Sequence, residues 1–138
     1  MQYYLETNNL LHNNQYGFRK KRGTTTALAV IYEKIAQTLA SKEQCYIVLR
    51  NVAKAFDRVW HAGLKYKILN IGVQAIFEML SYDFLDDRQA KIKVDDYIGP
   101  PMELECGVPQ GSSLSPTLYI IYTRDLPEAG EGGIGLQV

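Results

Sequence analysis

Three observations predict an α+β fold built around an antiparallel sheet. Apolar residues recur at steps of three and four in several stretches, as on the buried face of a helix. Residues 88–95 alternate instead, as a half-buried strand does. Asp95-Asp96 then supplies a tight turn and Tyr97 to Leu104 a return strand, so this sheet grows by a hairpin and not by a helical crossover. The length, 138 residues, suits a single domain. With 46% hydrophobic and 22% charged residues the composition is globular, which excludes wholesale disorder.

Taken in order, residues 1–11 read as a short helical piece, followed by a polar loop marked by Asn8, Asn9, Asn13, Asn14 and Gly17. After Gly23, Thr24 or Thr25 is placed to cap a helix. The apolar face of that helix is Ala27, Leu28, Ile31, Ile35 and Leu39. Cys45 to Leu49 is a short apolar run rich in β-branched residues, predicted as a buried strand. Leu64 to Leu69 and Val73 to Leu85 carry two further helical patterns, split at Gly72. The hairpin of 88–104 is bent by Pro100-Pro101. Gly107 to Ser113 reads as a loop, and Leu114 to Leu126 as a helix with Pro116 in its first turn. Gly130 to Gly133 reads as a flexible turn, and Gly135 to Val138 as the start of another apolar strand.

The net charge is zero, with 15 basic and 15 acidic residues, which excludes a strongly basic nucleic-acid wrapper at the level of the whole chain. The charges are unevenly spread. Residues 1–50 hold seven Lys/Arg against three Asp/Glu, and residues 96–138 hold one against six. A basic first third suits a polyanion, and it equally suits an ordinary solvated surface. Two cysteines, Cys45 and Cys106, make neither a disulfide framework nor a zinc site. A reducing, intracellular setting is expected, nucleus or cytoplasm, without secretion. No stretch approaches about 18 uninterrupted apolar residues, so no membrane span or membrane partner is expected. The N-terminus lacks the basic and apolar regions of a signal peptide.

Three segments carry chemistry. In Gln15-Tyr-Gly-Phe-Arg-Lys-Lys-Arg-Gly-Thr-Thr-Thr, four cations (Arg19, Lys20, Lys21 and Arg22) precede a helix start, which makes either a phosphate cradle or a solvated basic loop. In Val48-Leu-Arg-Asn-Val-Ala-Lys-Ala-Phe-Asp-Arg-Val-Trp, a strand runs into Asn51 and then a turn with Phe56 and Asp57. A carboxylate at a strand end suits a metal, but here the strand ends in Asn51 and Asp57 lies further on, where a helix cap or an ion pair suits it better. In Cys106-Gly-Val-Pro-Gln-Gly-Ser-Ser-Leu-Ser-Pro-Thr-Leu-Tyr, a glycine-bracketed loop opens into a helix. Such a loop admits close backbone approach to a ligand, with the Gln110 amide available to a hydroxyl or base, or it is simply a strand-to-helix turn. His12 and His61 have no ligand spacing, Asp86-Asp87 reads as solvated, and Asp95-Asp96 as a turn.

In this order and spacing the segments resemble the reverse transcriptase domain of non-LTR (LINE-type) retrotransposons, in particular the jockey-like group. QYGFRKKRGTTTAL is similar to the fingers motif, AKAFDRVWHAGLKYKI to motif A of the palm, and ECGVPQGSSLSPTLYIIYTRDLP to motif B. The likeness runs from about Leu5 to Val138. It implies a partial right-hand polymerase: a fingers-like segment over about 1–44 and a palm-like segment over about 45–138. It implies RNA-directed DNA polymerisation with Mg²⁺, an RNA template, a DNA primer and a deoxynucleoside triphosphate. By the resemblance, Arg19 contacts the triphosphate, and Phe56 is the steric gate that rejects the 2′-hydroxyl of a ribonucleotide. Gln110 and Gly111 shape the nucleotide pocket, and Lys20, Lys21 and Arg22 meet nucleic acid.

Two departures from the family pattern predict a chain inactive in isolation. The first Asp of motif A, a metal ligand in the family, is Asn51 here, and the usually apolar residue before it is Arg50. A neutral amide does not bridge two hard cations as a carboxylate does. Motif C, an aromatic-Ala-Asp-Asp turn expected after motif B, is absent from the 138 residues. Gly135 to Val138 reads as the start of its strand, so truncation is expected, with the thumb and the first part of the fingers missing as well. The alternative readings are a residual template–primer binding module and a non-functional relic of a transposable element.

Overall fold

The computed structural model describes residues 1–126, 130 and 133–138. The chain divides into two compact units: Lys54–Tyr122 with Met1, and Gln2–Ala53 with Thr123–Val138. The first unit begins at residue 54, and residues 123–138 group with the N-terminal part.

The unit of 54–122 is mainly helical. It holds α3 (His61–Ile71), α4 (Ala75–Leu85) and α5 (Ser115–Tyr122), with a short 3₁₀ turn at Phe56–Arg58. Leu64 and Ile68, one turn apart on α3, are fully buried. α3 packs against α4 and α5, and Val73, Leu85, Leu118, Ile120 and Ile121 complete this core. Each such side chain contributes roughly 1.5–3 kcal/mol by leaving water. Gly72 ends α3 in the left-handed region at φ 68°, its N–H donating to the Leu69 carbonyl at 3.1 Å. On α4 the buried Ser81 hydroxyl donates to the Phe77 carbonyl at 2.6 Å. At the C-terminal end of α5, the Lys67 ammonium donates to the Tyr122 carbonyl and lies 4.8 Å from the centre of the Tyr122 ring. A cation there meets the negative end of the helix dipole. The predicted helix to Leu126 stops at Tyr122, and residues 123–125 form a turn.

The predicted hairpin forms in two short antiparallel pieces. β1 (Gln89–Ala90) pairs with β4 (Met102–Glu103), and β2 (Lys93–Val94) with β3 (Tyr97–Ile98). Asp95-Asp96 makes the two-residue turn between β2 and β3, with Asp95 at φ 51°. Pro101, which lacks an N–H, stands with Pro100 in the gap where the ladder is interrupted. The alternation predicted a covered face, yet Ile92, Val94, Tyr97 and Ile98 are all exposed. Nothing among the described residues of this unit packs over that face, so the alternation has no core to meet.

The unit of 2–53 and 123–138 holds α1 (Gln2–Thr7) and α2 (Thr24–Ala40). Leu5, Leu11 and Ala27 are buried. Gln15 and Gln137 form an isolated parallel bridge, with the Tyr16 N–H donating to the Gln137 carbonyl at 2.6 Å. Gly135 to Val138 thus contributes one bridge and no full strand. Gly23, and neither Thr24 nor Thr25, caps α2: the Thr26 hydroxyl accepts from the Gly23 N–H at 2.9 Å and donates to its carbonyl at 2.8 Å. Of the predicted α2 face only Ala27 is buried, while Leu28 and Leu39 are exposed.

The predicted strand at Cys45 to Leu49 is a correction. Residues 43–52 have no regular structure, and all are exposed. A strand needs a hydrogen-bonded neighbour, and none pairs with this run among the described residues. The predicted turn at 130–133 includes residues 131 and 132, which lie outside the described residues.

Candidate functional site

The residues after the tight turn of motif A and those that open motif B are zipped together in the unit of 54–122. Trp60 and Cys106 form an antiparallel bridge. The Gly107 N–H donates to the Val59 carbonyl at 2.8 Å, the Val108 N–H to the Phe56 carbonyl at 2.9 Å, and the His61 N–H to the Glu105 carbonyl at 3.3 Å. The buried His61 ring closes the same seam: its Nε2 donates to the Gly107 carbonyl at 2.7 Å. Arg88 Nη1 donates to that carbonyl as well, at 3.1 Å.

Gly107 is required here on two counts. Its φ of 93° is one that L side chains rarely adopt, and an added Cβ would stand 3.1 Å from the Asp57 carbonyl oxygen. The 3₁₀ turn therefore lies directly against the loop. Gln110 Nε2 donates to Asp57 Oδ1 at 3.2 Å. The Phe56 ring stacks on Tyr119 of α5, with centroids 5.0 Å apart and planes 27° from parallel. Burial pushes the Tyr119 phenol up from its ordinary range, and neighbouring Tyr122 adds to this. The arrangement brings Phe56, Gln110 and Gly111 to one surface segment with Asp57. Gly111, at φ 86°, has open space where a side chain would be.

Arg19 and its neighbours belong to the other unit. Arg19 Nε donates to Glu6 Oε1 at 2.8 Å, Nη2 to Glu6 Oε2 at 2.5 Å, and Nη1 to the His12 carbonyl at 2.8 Å. Its side chain is only 8% exposed. The hydrogen bond from Arg19 lowers the Glu6 carboxyl below its ordinary range against an opposing push from partial burial, and the charges of Arg19 and Arg22 lower it further. An anion reaching this guanidinium must displace Glu6. Arg22 donates to the Asn13 carbonyl, and its guanidinium lies 5.4 Å from the centre of the Tyr16 ring. Lys20 and Lys21 are exposed.

Asn51 lies in the exposed stretch of 43–52. Its side chain offers one neutral oxygen. Among the described residues no group of three or more His, Cys, Asp and Glu is gathered closely enough to hold a metal ion, and Asp57 is turned to Gln110. One neutral oxygen at position 51 does not fit a pair of Mg²⁺ ions, which take anionic oxygens. Asp86, read as solvated, pairs with Lys65 at the end of α4.

The His61 contact, the Phe56–Tyr119 stack and the Glu6–Arg19 fork were not legible from spacing. The one available signal was that Glu6 is the only acidic residue before Glu33 in a strongly basic stretch. No helix among the described residues is long and apolar enough to cross a membrane.

Comparison with known proteins agrees with these motifs. The family model described as reverse transcriptase (RNA-dependent DNA polymerase) matches residues 1–135. The probable RNA-directed DNA polymerase from transposon BS of Drosophila melanogaster is 36% identical over 118 residues, 86% of this chain and 13% of that protein. Its X-element counterpart is 34% identical over 124 residues, 90% of the chain and 14% of that protein. The RNA-directed DNA polymerase from mobile element jockey of Drosophila funebris is 36% identical over 113 residues, 82% of the chain and 12% of that protein. The chain thus spans a small portion of the length of these relatives. With its helices and small antiparallel sheets it is an α+β portion of a reverse transcriptase domain, and it belongs to the reverse transcriptase family of non-LTR transposable elements.

Proposed function

We propose that this chain forms the nucleotide-facing part of a retrotransposon reverse transcriptase, with a fingers-like segment over about 1–44 and a palm-like segment over about 45–138 of a right-hand polymerase, and that it does not polymerise by itself. The observation that carries the reading is the seam joining 56–61 to 105–108, which holds Phe56 and Gln110 on one surface. In this reading the Phe56 ring, held by Tyr119, stands under the sugar of an incoming deoxynucleoside triphosphate and rejects a 2′-hydroxyl by contact. Gln110 and the open backbone at Gly111 bound the pocket. Arg19 reaches the triphosphate only on release from Glu6, and Lys20 and Lys21, joined by Arg22 only on release from the Asn13 carbonyl, face the backbone of an RNA template paired with a DNA primer.

Inactivity of these 138 residues follows from Asn51 and from the absence of a motif C aromatic-Ala-Asp-Asp turn among them. Both metal ions of the family's reaction require anionic oxygens that this position does not supply. The test is primer extension on an RNA template with Mg²⁺ for four proteins. These are the chain, its N51D variant, a chain extended with the motif C hairpin and thumb of a relative, and the extended chain carrying N51D. Only the last is expected to extend the primer, and in it Phe56→Ala should relax the rejection of ribonucleotides. Extension by the 138-residue chain, or by the extended chain that keeps Asn51, would refute the assignment.

A further inference from the structure

Phe18 stands in the basic loop with a strained backbone. Its φ is 55°, a genuine outlier for a bulky side chain. The chain is pinned on both sides of it. The Gly17 N–H donates to the Gln137 carbonyl at 3.2 Å, and a Cβ on Gly17 would stand 2.6 Å from the Val138 carbonyl carbon. The Phe18 carbonyl accepts from Gln2 Nε2 at 2.5 Å, and Arg19 is held by Glu6. Strain of this kind persists only where the surroundings over-determine it, and it gathers at ligand clamps. Here it fixes an aromatic residue that is 49% exposed. Lys20 and Lys21, two and three positions on, are exposed as well. Tyr16, the other aromatic of the loop, already carries the Arg22 guanidinium 5.4 Å from its ring centre.

We propose that Phe18 is the stacking platform for one unpaired base of a single-stranded nucleic acid whose phosphates meet Lys20 and Lys21. The inference rests on the reading above, in which this segment faces the template, and it adds the residue that takes an unpaired template base. Charge decides the occupant. Between Glu6 and Glu33 the chain has four cations and no carboxylate, and Glu6 is already taken by Arg19. Whatever covers the ring must bring a flat apolar face and anionic charge together. A nucleic-acid strand carries both, one phosphate to each base, whereas an apolar protein segment brings the face without the charge. In a duplex the base faces are stacked on one another, so the ring takes a base that is unpaired. Its backbone is fixed before the strand arrives, which leaves little ordering to be done on binding.

The experiment uses the whole chain and two probes of about ten nucleotides, a single-stranded RNA carrying one 2-aminopurine and a blunt RNA–DNA duplex. Binding is measured at low salt, where a few phosphate contacts hold best. F18L keeps an apolar side chain and removes the ring, and F18Y keeps the ring. F18L should weaken the single strand at least about fivefold and abolish the quenching of 2-aminopurine fluorescence that stacking produces. F18Y should preserve both, and the duplex should bind F18L as it binds the parent chain. A ring that merely props up the loop would weaken both probes together when removed. Lys20→Ala with Lys21→Ala should weaken both probes. If it does not, or if the chain binds neither probe, the segment does not face nucleic acid, and the reading above fails together with the inference. If it does, while F18L leaves the single strand and its quenching unchanged or weakens the duplex as much, the role of Phe18 alone is overturned.

Discussion

Replacing Gly107 with Ala tests whether the two motifs are held as one unit. Two costs are superimposed. The φ of 93° strains any residue with a Cβ, and the new methyl stands 3.1 Å from the Asp57 carbonyl oxygen and 3.4 Å from the Asp57 Cα. Both neighbours are backbone, so neither moves without opening the 3₁₀ turn. Strain of this kind costs about 1 kcal/mol at the least, and the crowding adds about as much again. Gly111 separates the two costs. At φ 86° it bears similar strain, but nothing lies within 4 Å of its added Cβ. Gly111→Ala should therefore lose about 1 kcal/mol and Gly107→Ala about 2 kcal/mol, roughly a thirtyfold shift in the unfolding equilibrium for the latter. The chain has one tryptophan, and Trp60 forms the bridge to Cys106, so its fluorescence reports on this seam during urea unfolding. Equal losses in the two variants would refute the close approach of Gly107 to the turn.

Three further outcomes are expected. Ile68→Ala, in the fully buried face of α3, should cost about 2–5 kcal/mol in the same melt, and Leu28→Ala, which is 63% exposed, should cost almost nothing. Because the Glu6 carboxyl is lowered in the folded chain, its contribution is complete above the ordinary glutamate value of about 4.3 and is lost as pH falls through the lower, folded value. The protection of residues 2–19 against hydrogen exchange, taken relative to the intrinsic rate at each pH, should fall in acid, and Glu6→Gln should remove that pH dependence. Arg19 and Arg22 are engaged within the chain, which leaves Lys20 and Lys21 for phosphates in this segment. Binding to an RNA–DNA duplex should then fall with salt at a log–log slope of about −2, and Lys20→Ala with Lys21→Ala should flatten it.

The helices were legible wherever their apolar period met a partner. α3 and α4 appear where the pattern put them, divided at Gly72, whose positive φ ends the first. The hairpin turn at Asp95-Asp96 was legible because turn chemistry is local. The strand at Cys45 to Leu49 was not, because an apolar run states only that a partner is wanted. The same holds for Leu28 and Leu39 on α2, whose spacing describes a buried face that stands open among the described residues. In the site, the residue types of motifs A and B were readable. Their coupling was not, since the His61 ring and the Gly107 carbonyl lie 46 positions apart in sequence.

The substitution at position 51 changes more than one ligand. From Arg50 to Arg58 the chain carries Arg50, Lys54 and Arg58 against Asp57 alone. Asp57 in turn accepts from Gln110. The stretch proposed above to face the metal ions is thus net positive, and its one carboxylate is already engaged. Asp at position 51 would add an anionic oxygen and lower that charge by one, and Leu at position 50, the kind of residue the family pattern carries there, would lower it again. Asn51 and Arg50 act in the same direction. If repulsion by the Arg50 charge matters beside the missing donor, the extended N51D polymerase should need less Mg²⁺ for half-maximal extension when R50L is added. An unchanged requirement would leave the missing donor as the sole defect of the motif.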